Sequence, residues 1–385
     1  MEEVYLDNSA TTKVKDKVIE TMMKPMKEVY GNPSSLHSMG IEAEKLLKKA
    51  RRKVAKAIRA DAEEIIFTSG GTEANNLAIK GTINTLQRYG NHLITTKIEH
   101  SSTLHPLQDL EKEGWEVTFL DVDEKGILDL EQLAEVISED TILVSIMQVN
   151  NEVGSIQPIK EVEKIVQDYQ DSGLYLHIDA VQALDKLEIN LSNSSIDLLS
   201  MSGHKIHGPK GSGALYIADG TRLKSLITGG GQEFGYRAGT ENVAGYVGFG
   251  EAVKLATTEV EADVEQMQKL KEELAAGIKD GLEGVQINGP EVTAGVPHIL
   301  NVSFQGVKGE VLVHALEAEN IYVSTGSACS SKDSKSHVLA AMGLEQKAME
   351  GAIRFSLSSF TSKEEISYTV EKLKEIVPRL RQITG

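Results

Sequence analysis

Only one cysteine, Cys329, occurs among the 385 residues, so no internal disulfide can form and no multi-thiolate metal site can be assembled. A reducing compartment is the simplest setting for such a chain, and the lone thiol is either incidental or a tool. Positive charge is also short. Lys and Arg number 40 against 57 Asp and Glu, a formal charge of −17 spread along the chain. Such a surface repels phosphate backbones, so no direct nucleic-acid partner is expected. Long apolar runs are missing too: none approaches the roughly 20 residues of a membrane-spanning helix, and no membrane partner is expected. The opening MEEVYLDNSATT is acidic and lacks a basic-then-apolar pattern, which predicts a cytosolic protein. Internal repeats and low-complexity segments are absent. At about 150 residues per domain, the length predicts two or three structural units.

What is present is an alternation of short apolar runs with helix-length amphipathic stretches. EIIFTS (64–69), HLITT (92–96), EVTFLDV (116–122), TILVSIM (141–147), LYLHID (174–179), IDLLSMS (196–202) and GALYIA (213–218) read as buried strands bounded by polar or Gly-containing turns. Seven strands with intervening helices predict an α/β core with a largely parallel sheet, whose ligand crevice lies outside the carboxyl ends of the strands. Residues 40–59 read as a charged outer helix, and a long charged helix is expected over about 251–281. The domain boundary is placed inside that helix, giving a large domain over 16–255 and a small one over 256–385. The opening 15 residues could pack on either domain, and we group them with the small one.

Four features carry chemistry. FTSGGTEANNLAIKG (67–81) ends a strand and starts a helix, whose exposed N–H groups make an anion site to which Thr72 adds a hydroxyl; ordinary helix capping is the competing reading. In IDAVQ (178–182), Asp179 at a strand's carboxyl end can hold a cationic nitrogen and Gln182 can donate to an adjacent oxygen, although Asp179 alone also reads as a helix cap. Lys205, in SMSGHKIHGPKGSGAL (200–215), is flanked by small and His residues; a lysine must be desolvated or given a cationic neighbour to act as a neutral nucleophile. With a phosphate cradle and an acid for a pyridinium, it suggests the Schiff-base lysine of a pyridoxal phosphate (PLP) enzyme. Cys329 sits in TGSACSSKDSKS (325–336), a polar loop expected to be mobile, where Lys332 and Lys335 favour the reactive thiolate modestly. Two other signals are set aside. Gly203 and Gly208 have Walker A spacing, but Pro-Lys follows where Lys-Ser/Thr is needed, and His204 with His207 lacks a third metal ligand.

VYLDNSATT, GNPSSLH, TSGGTEANNLAIKG, EHSSTL, VNNEVGSIQPI, HIDAVQ, SMSGHKIHGPKGSGALY, GGGQEFGYRAGTEN, STGSACSS and IRFSLSSFT, running from residue 4 to about 361, together resemble the cysteine desulfurases of the NifS/IscS type, in the class V aminotransferase group. The resemblance implies a PLP-dependent transferase fold of the aspartate aminotransferase kind, with a mostly parallel seven-stranded sheet and a smaller C-terminal α+β domain. It implies that Lys205 holds PLP, that Asp179 pairs with the ring nitrogen, that Gln182 bonds the phenolic oxygen, and that His100 stacks on the ring as an acid/base. Thr72, Ser202 and His204 would bind the phosphate, joined by Thr240 from the partner in a homodimer. Asn150 and Arg354 would hold the substrate carboxylate, although a charged Arg354 in an apolar run also reads as a structural ion pair, and Asn150 as a turn former.

The implied reaction converts L-cysteine to L-alanine and leaves sulfur as a persulfide on Cys329, for delivery to an acceptor or scaffold protein in iron–sulfur cluster assembly, tRNA thiolation or cofactor sulfur supply. A PLP aminotransferase or lyase acting on another amino acid is the alternative enzyme, and an acidic scaffold without catalysis is the alternative outside enzymology. Two departures from relatives stand out. Phe234 occupies a position where arginine is common, and the run after Cys329 lacks Leu-Glu-Pro.

Overall fold

The computed structural model describes residues 3–170, 173–258, 260–326 and 336–384. It opens with β1 (Val4–Tyr5), α1 (Asp16–Lys27) and α2 (Ser38–Ile58). A strand–helix alternation follows: β2 (Ile65–Thr68), α3 (Gly71–Leu86), β3 (His92–Thr96), α4 (Ser101–Lys112), β4 (Glu116–Leu120), α5 (Leu130–Val136), β5 (Thr141–Met147) and α6 (Ile159–Gln170). β6 (Tyr175–Asp179), β7 (Leu198–Ser202) and β8 (Gly213–Ile217) complete the large sheet.

Its strand order is β2-β8-β7-β6-β5-β3-β4, with β8 antiparallel to both neighbours and every other pairing parallel. All seven strands expected from the sequence are therefore present in a largely parallel sheet. Alternate residues serve opposite faces. Phe67, Ile94 and Val144 face one core, which α2 also enters through Leu47, Val54 and Ile58. Ile66 packs with Ala74 and Leu77 of α3 on the other face, and Leu93 and Leu143 pack with Ile79 and Leu107. Each such buried side chain contributes about 1.5–3 kcal/mol relative to exposure. His177 is a buried polar residue in mid-sheet. Its Nδ1 meets Ser145 Oγ at 2.8 Å and its Nε2 meets Ser200 Oγ at 2.9 Å, tying β5, β6 and β7 together. Burial without charged company pushes its pKa down to about 3, so the ring is neutral.

The helix expected over 251–281 is two helical spans, α7 (Val243–Thr258) and α8 (Val260–Gly281), with residue 259 outside the described residues. Only α8 has the charged character foreseen. α7 is largely buried and lies against α1 and α2; the position a Cβ would take at Gly250 is 2.9 Å from the Ala50 backbone, so only glycine permits this approach.

Beyond lie β9 (Val285–Asn288), β10 (Ile299–Phe304), α9 (Gly309–Glu317), β11 (Ile321–Tyr322), α10 (His337–Ala341), α11 (Gln346–Glu350), β12 (Ala352–Ser356) and α12 (Lys363–Thr384). β12, β10 and β9 form an antiparallel sheet, while β1 pairs in parallel with β11. Val4 and Leu6 sit in a second core with Leu274, Val302, Phe304, Leu312, Phe355 and Leu373. The opening segment thus packs with the C-terminal elements.

Candidate active site at the carboxyl ends of the sheet

β6 ends at Asp179, which is 5% exposed. Its Oδ1 accepts from Val181 N at 2.9 Å and its Oδ2 from Asn75 Nδ2 at 2.7 Å. The backbone bond is the cap-like contact anticipated for this residue; the second bond is of another kind. Asn75 Nδ2 also donates to Ser102 Oγ at 2.8 Å, and Ser102 Oγ lies 2.7 Å from His100 Nδ1. His100 caps α4 by accepting from Ser102 N at 3.1 Å, which leaves the proton of the neutral ring on Nε2. Burial holds its pKa below the usual range, against the pull of Asp179. Asn75 escaped the sequence reading, because a polar residue in a helix reads as solvated surface. The signal was its spacing, one turn beyond Thr72 on the same face.

β7 ends at Ser202 and leads through a short turn to His204 and Lys205. Ser202 is 1% exposed and its Oγ has no hydrogen-bond partner among the described residues. It lies 3.8 Å from the position a Cβ at Gly70 would take, at the N-terminal end of α3. Gly70 has φ +150° and, as the N-cap, supplies no side-chain cap to α3, and a Cβ at Gly71 would meet Val181 Cγ2 at 2.8 Å. Thr72 is exposed beside this end and lines an open cavity of about 350 Å³ with Asn76, Lys80, His100 and His105. His204 is pushed down to about 4 by burial and the neighbouring Lys205 charge, so it acts as a neutral donor or acceptor.

Residues 7–12, without assigned roles in the sequence reading, bind the pieces together. Lys205 Nζ donates to the carbonyl of Ser9 and, at 3.0 Å, to that of Ala10. Gln182 Nε2 reaches the same Ser9 carbonyl at 3.0 Å, and Thr12 Oγ1 donates to the His204 carbonyl at 3.0 Å. Asp7 Oδ1 accepts from Arg354 Nη2 at 2.8 Å. The Ser9 and Ala10 carbonyls leave no side-chain signature, so the sequence did not reveal their part.

Arg354, on β12, is 3% exposed. Its Nη1 donates to the Asn151 carbonyl at 2.9 Å, while its Nε is buried with no partner among the described residues. The structural ion pair foreseen as an alternative is present, and part of the guanidinium's donor capacity remains unused. Asn150 is fully buried and bonds both its own loop and the one after β3. Its Nδ2 donates to the Ile98 carbonyl at 2.9 Å, and its Oδ1 accepts from Glu152 N and Val153 N at 2.8 and 3.0 Å. The second Nδ2 hydrogen has only the Met147 sulfur at 3.4 Å, and what Asn150 visibly does is fix the turn that offers Asn151 O to Arg354.

Thr240 is exposed in the segment 229–242, which is tethered to the cradle by Arg237 Nε donating to Glu73 Oε1 at 2.9 Å. Phe234, 58% exposed with φ +54°, lays its ring 5.0 Å from the Arg51 guanidinium, itself paired with buried Glu233. Cys329 and residues 327–335 lie outside the described residues. Among the described residues no cluster of His, Cys, Asp and Glu suits a metal ion, and no helix is long and apolar enough to cross a membrane.

These residues fit PLP. An orphaned buried hydroxyl faces the start of a 16-residue helix, a carboxylate lies at an adjacent strand end, and a lysine is held nearby by backbone carbonyls.

Comparison with known proteins agrees with this chemistry. The chain matches the model of the class V aminotransferases over residues 4–369. It is 46% identical to a cysteine desulfurase IscS of Dictyoglomus turgidum, over 99% of this chain and 96% of that protein. A NifS-like protein of known structure superposes with a TM-score of 0.93 at 41% identity, covering 98% of this chain and 100% of that one. SspA, solved in complex with cysteine, gives 0.81 at 35% identity, covering 93% and 100%.

Proposed function

The chain belongs to the class V aminotransferase family and, within it, to the cysteine desulfurases; from that membership we propose that it passes the sulfur of L-cysteine to Cys329 and releases L-alanine. One observation carries the assignment of residues: the segment 7–12 bonds at once to Lys205, Gln182, the His204 carbonyl and Arg354, so the groups needed for an amino acid and its cofactor share one crevice.

In this reading Lys205 holds PLP covalently, Asp179 faces its ring nitrogen, and Gln182 faces its phenolic oxygen. Thr72, Ser202 and His204 take its phosphate, with Ser202 Oγ gaining the partner it lacks. Bound PLP supplies an electron sink that makes the substrate Cα–H bond acidic. Arg354 binds the α-carboxylate through its unsatisfied Nε side, while Asp7 and Asn151 O fix the plane of the guanidinium and Asn150 fixes Asn151. Lys205 moves the Cα proton, and His100, with its proton on Nε2, serves as acid/base beside the substrate. The Cys329 thiolate attacks the substrate sulfur: a Cys329–S–S bond forms, the Cβ–S bond breaks, and a proton at Cβ completes L-alanine. No external oxidant or reductant is needed. With no second cysteine in the chain, the persulfide passes to an acceptor protein or an external thiol.

The proposal includes a homodimer, in which Thr240 reaches the partner's phosphate site, and a cytosolic setting consistent with a single free thiol. It also divides the chain into a large domain over 16–255 and a small one formed by 1–15 with 256–385; the cluster around Leu274, Val302 and Phe355 lies wholly in the small domain, while Val296 and Ile299 of the small domain pack into the largest cluster of the large one.

The test is alanine release from L-cysteine by the PLP-loaded protein and its Cys329→Ala variant. The variant should keep the cofactor's absorbance and lose alanine formation. Alanine at the wild-type rate would reject the role of Cys329, and a fully active monomer would reject the role of Thr240.

A further inference from the structure

We propose that Glu152 is a positioning residue for the sulfur-accepting step, hydrogen-bonding the residue that follows the segment carrying Cys329 and packing against the residue that precedes it, so that both flanks meet the loop that orients Arg354. The inference rests on the role given above to Cys329 and adds a residue that neither the cofactor nor the substrate requires.

Glu152 is 3% exposed and belongs to the loop after β5. Ser336, the first described residue after the cysteine segment, donates from Oγ to Glu152 Oε2 at 2.5 Å, and its Oγ also caps α10 by accepting from Leu339 N. Gly326, the last described residue before the segment, lies against the same oxygen: a Cβ there would sit 3.1 Å from Glu152 Oε2, and its φ is +87°. One carboxylate therefore meets both flanks.

The backbone that carries this carboxylate is itself anchored. Glu152 N donates to Asn150 Oδ1, and Asn301 Nδ2 donates to Glu152 O at 3.2 Å. The preceding carbonyl, Asn151 O, accepts from Arg354 Nη1. The Arg354 backbone bridges Ser324, with N to O at 2.7 Å, two residues before Gly326. A chain of contacts results, running from Glu152 through Asn151, Arg354 and Ser324 to Gly326, whose backbone packs against the Glu152 carboxylate. The exit of the segment has a further tie, because His337 Nε2 donates to the carbonyl of Glu99, the neighbour of His100. A nucleophile on a chain segment attacks at a rate set by how narrowly its ends are held.

Removing the Glu152 side chain leaves its N–H on Asn150 and the Asn151 carbonyl on Arg354, so carboxylate binding should persist. Glu152→Ala should keep the cofactor's absorbance and KM for L-cysteine while kcat and single-turnover persulfide formation fall by about 10- to 100-fold. Glu152→Gln retains an oxygen that can accept from Ser336 and should recover most of the loss. Ser336→Ala, which removes the donor, should reproduce the slow persulfide step and carries the test if Glu152→Ala does not fold. Wild-type persulfide formation in Glu152→Ala or Ser336→Ala would overturn the proposal, as would a rise in KM with kcat unchanged. Alanine production by Cys329→Ala would instead overturn the reading on which it stands, so the two failures are distinguishable.

Discussion

The two sides of the crevice are built differently. On one side, Asp179 and Ser202 terminate adjacent parallel strands and Lys205 follows within three residues, so their backbones are fixed by the sheet. On the other, Arg354 stands on a strand of the small antiparallel sheet and reaches its partners through loops, Asn151 on one and Asp7 on another. A cofactor that stays bound suits the first construction. A substrate that comes and goes, with a thiol that must reach it and then leave, suits the second.

The largest expected effect breaks the sheet side alone. Lys205→Ala should lower alanine formation by about 10⁴-fold or more and change the cofactor's absorbance, because the proposed reaction uses this lysine both as covalent anchor and as proton carrier. Turnover near the wild-type rate would remove Lys205 from the chemistry. Next comes the loop side. Arg354→Lys keeps the charge and loses the planar fork between Asp7 and Asn151 O, so kcat/KM should fall by about 100-fold, mainly through KM, with cofactor absorbance unchanged. An unchanged KM would leave Arg354 as a structural ion pair only.

Two smaller effects sharpen the sheet side. Asn75→Ala strips one partner from Asp179 Oδ2 and one from Ser102 Oγ, and should cost about 1–3 kcal/mol, read as a lower Tm and weaker cofactor retention. His177→Gln acts through protons. The native ring has its pKa at about 3 whereas the unfolded chain's histidine titrates near 6.5, so between these values the unfolded state binds the extra proton. The stability given by the neutral ring is complete above pH 6.5 and is lost on acidification, by about 1.4 kcal/mol per pH unit. In the glutamine variant the slope of stability against pH between 6 and 5 should be shallower by that amount. Glu99, whose fully buried carboxyl is raised to about 8 by desolvation, has the opposite sign, and the comparison of the two proteins cancels it.

The same contrast governs what the sequence made legible. Buried parallel strands appear as apolar runs such as TILVSIM, all seven residues of which are buried, so the sheet and the residues at its carboxyl ends could be found from pattern. Arg354 stood out because a charge in an apolar strand demands a partner. The rest was hidden for physical reasons. Ser9 and Ala10 act through carbonyls, Asn75 points inward from a helix, and Glu152 sits in a loop whose partners are about 170 and 180 positions away in the chain. Helix α7 was misjudged because its Gly- and Val-rich sequence was merged with the charged helix after it. Phe234, noted as a departure, turns out to cover the buried Arg51–Glu233 pair, a role that needs the fold to be seen.

The most direct test of the division between a cofactor side and a sulfur-accepting side is a single turnover with limiting L-cysteine and no external thiol, followed by intact-mass and peptide analysis. Equal amounts of L-alanine and of chains carrying one added sulfur atom on the Cys329 peptide are predicted. Alanine formed without sulfur on that peptide would contradict the account.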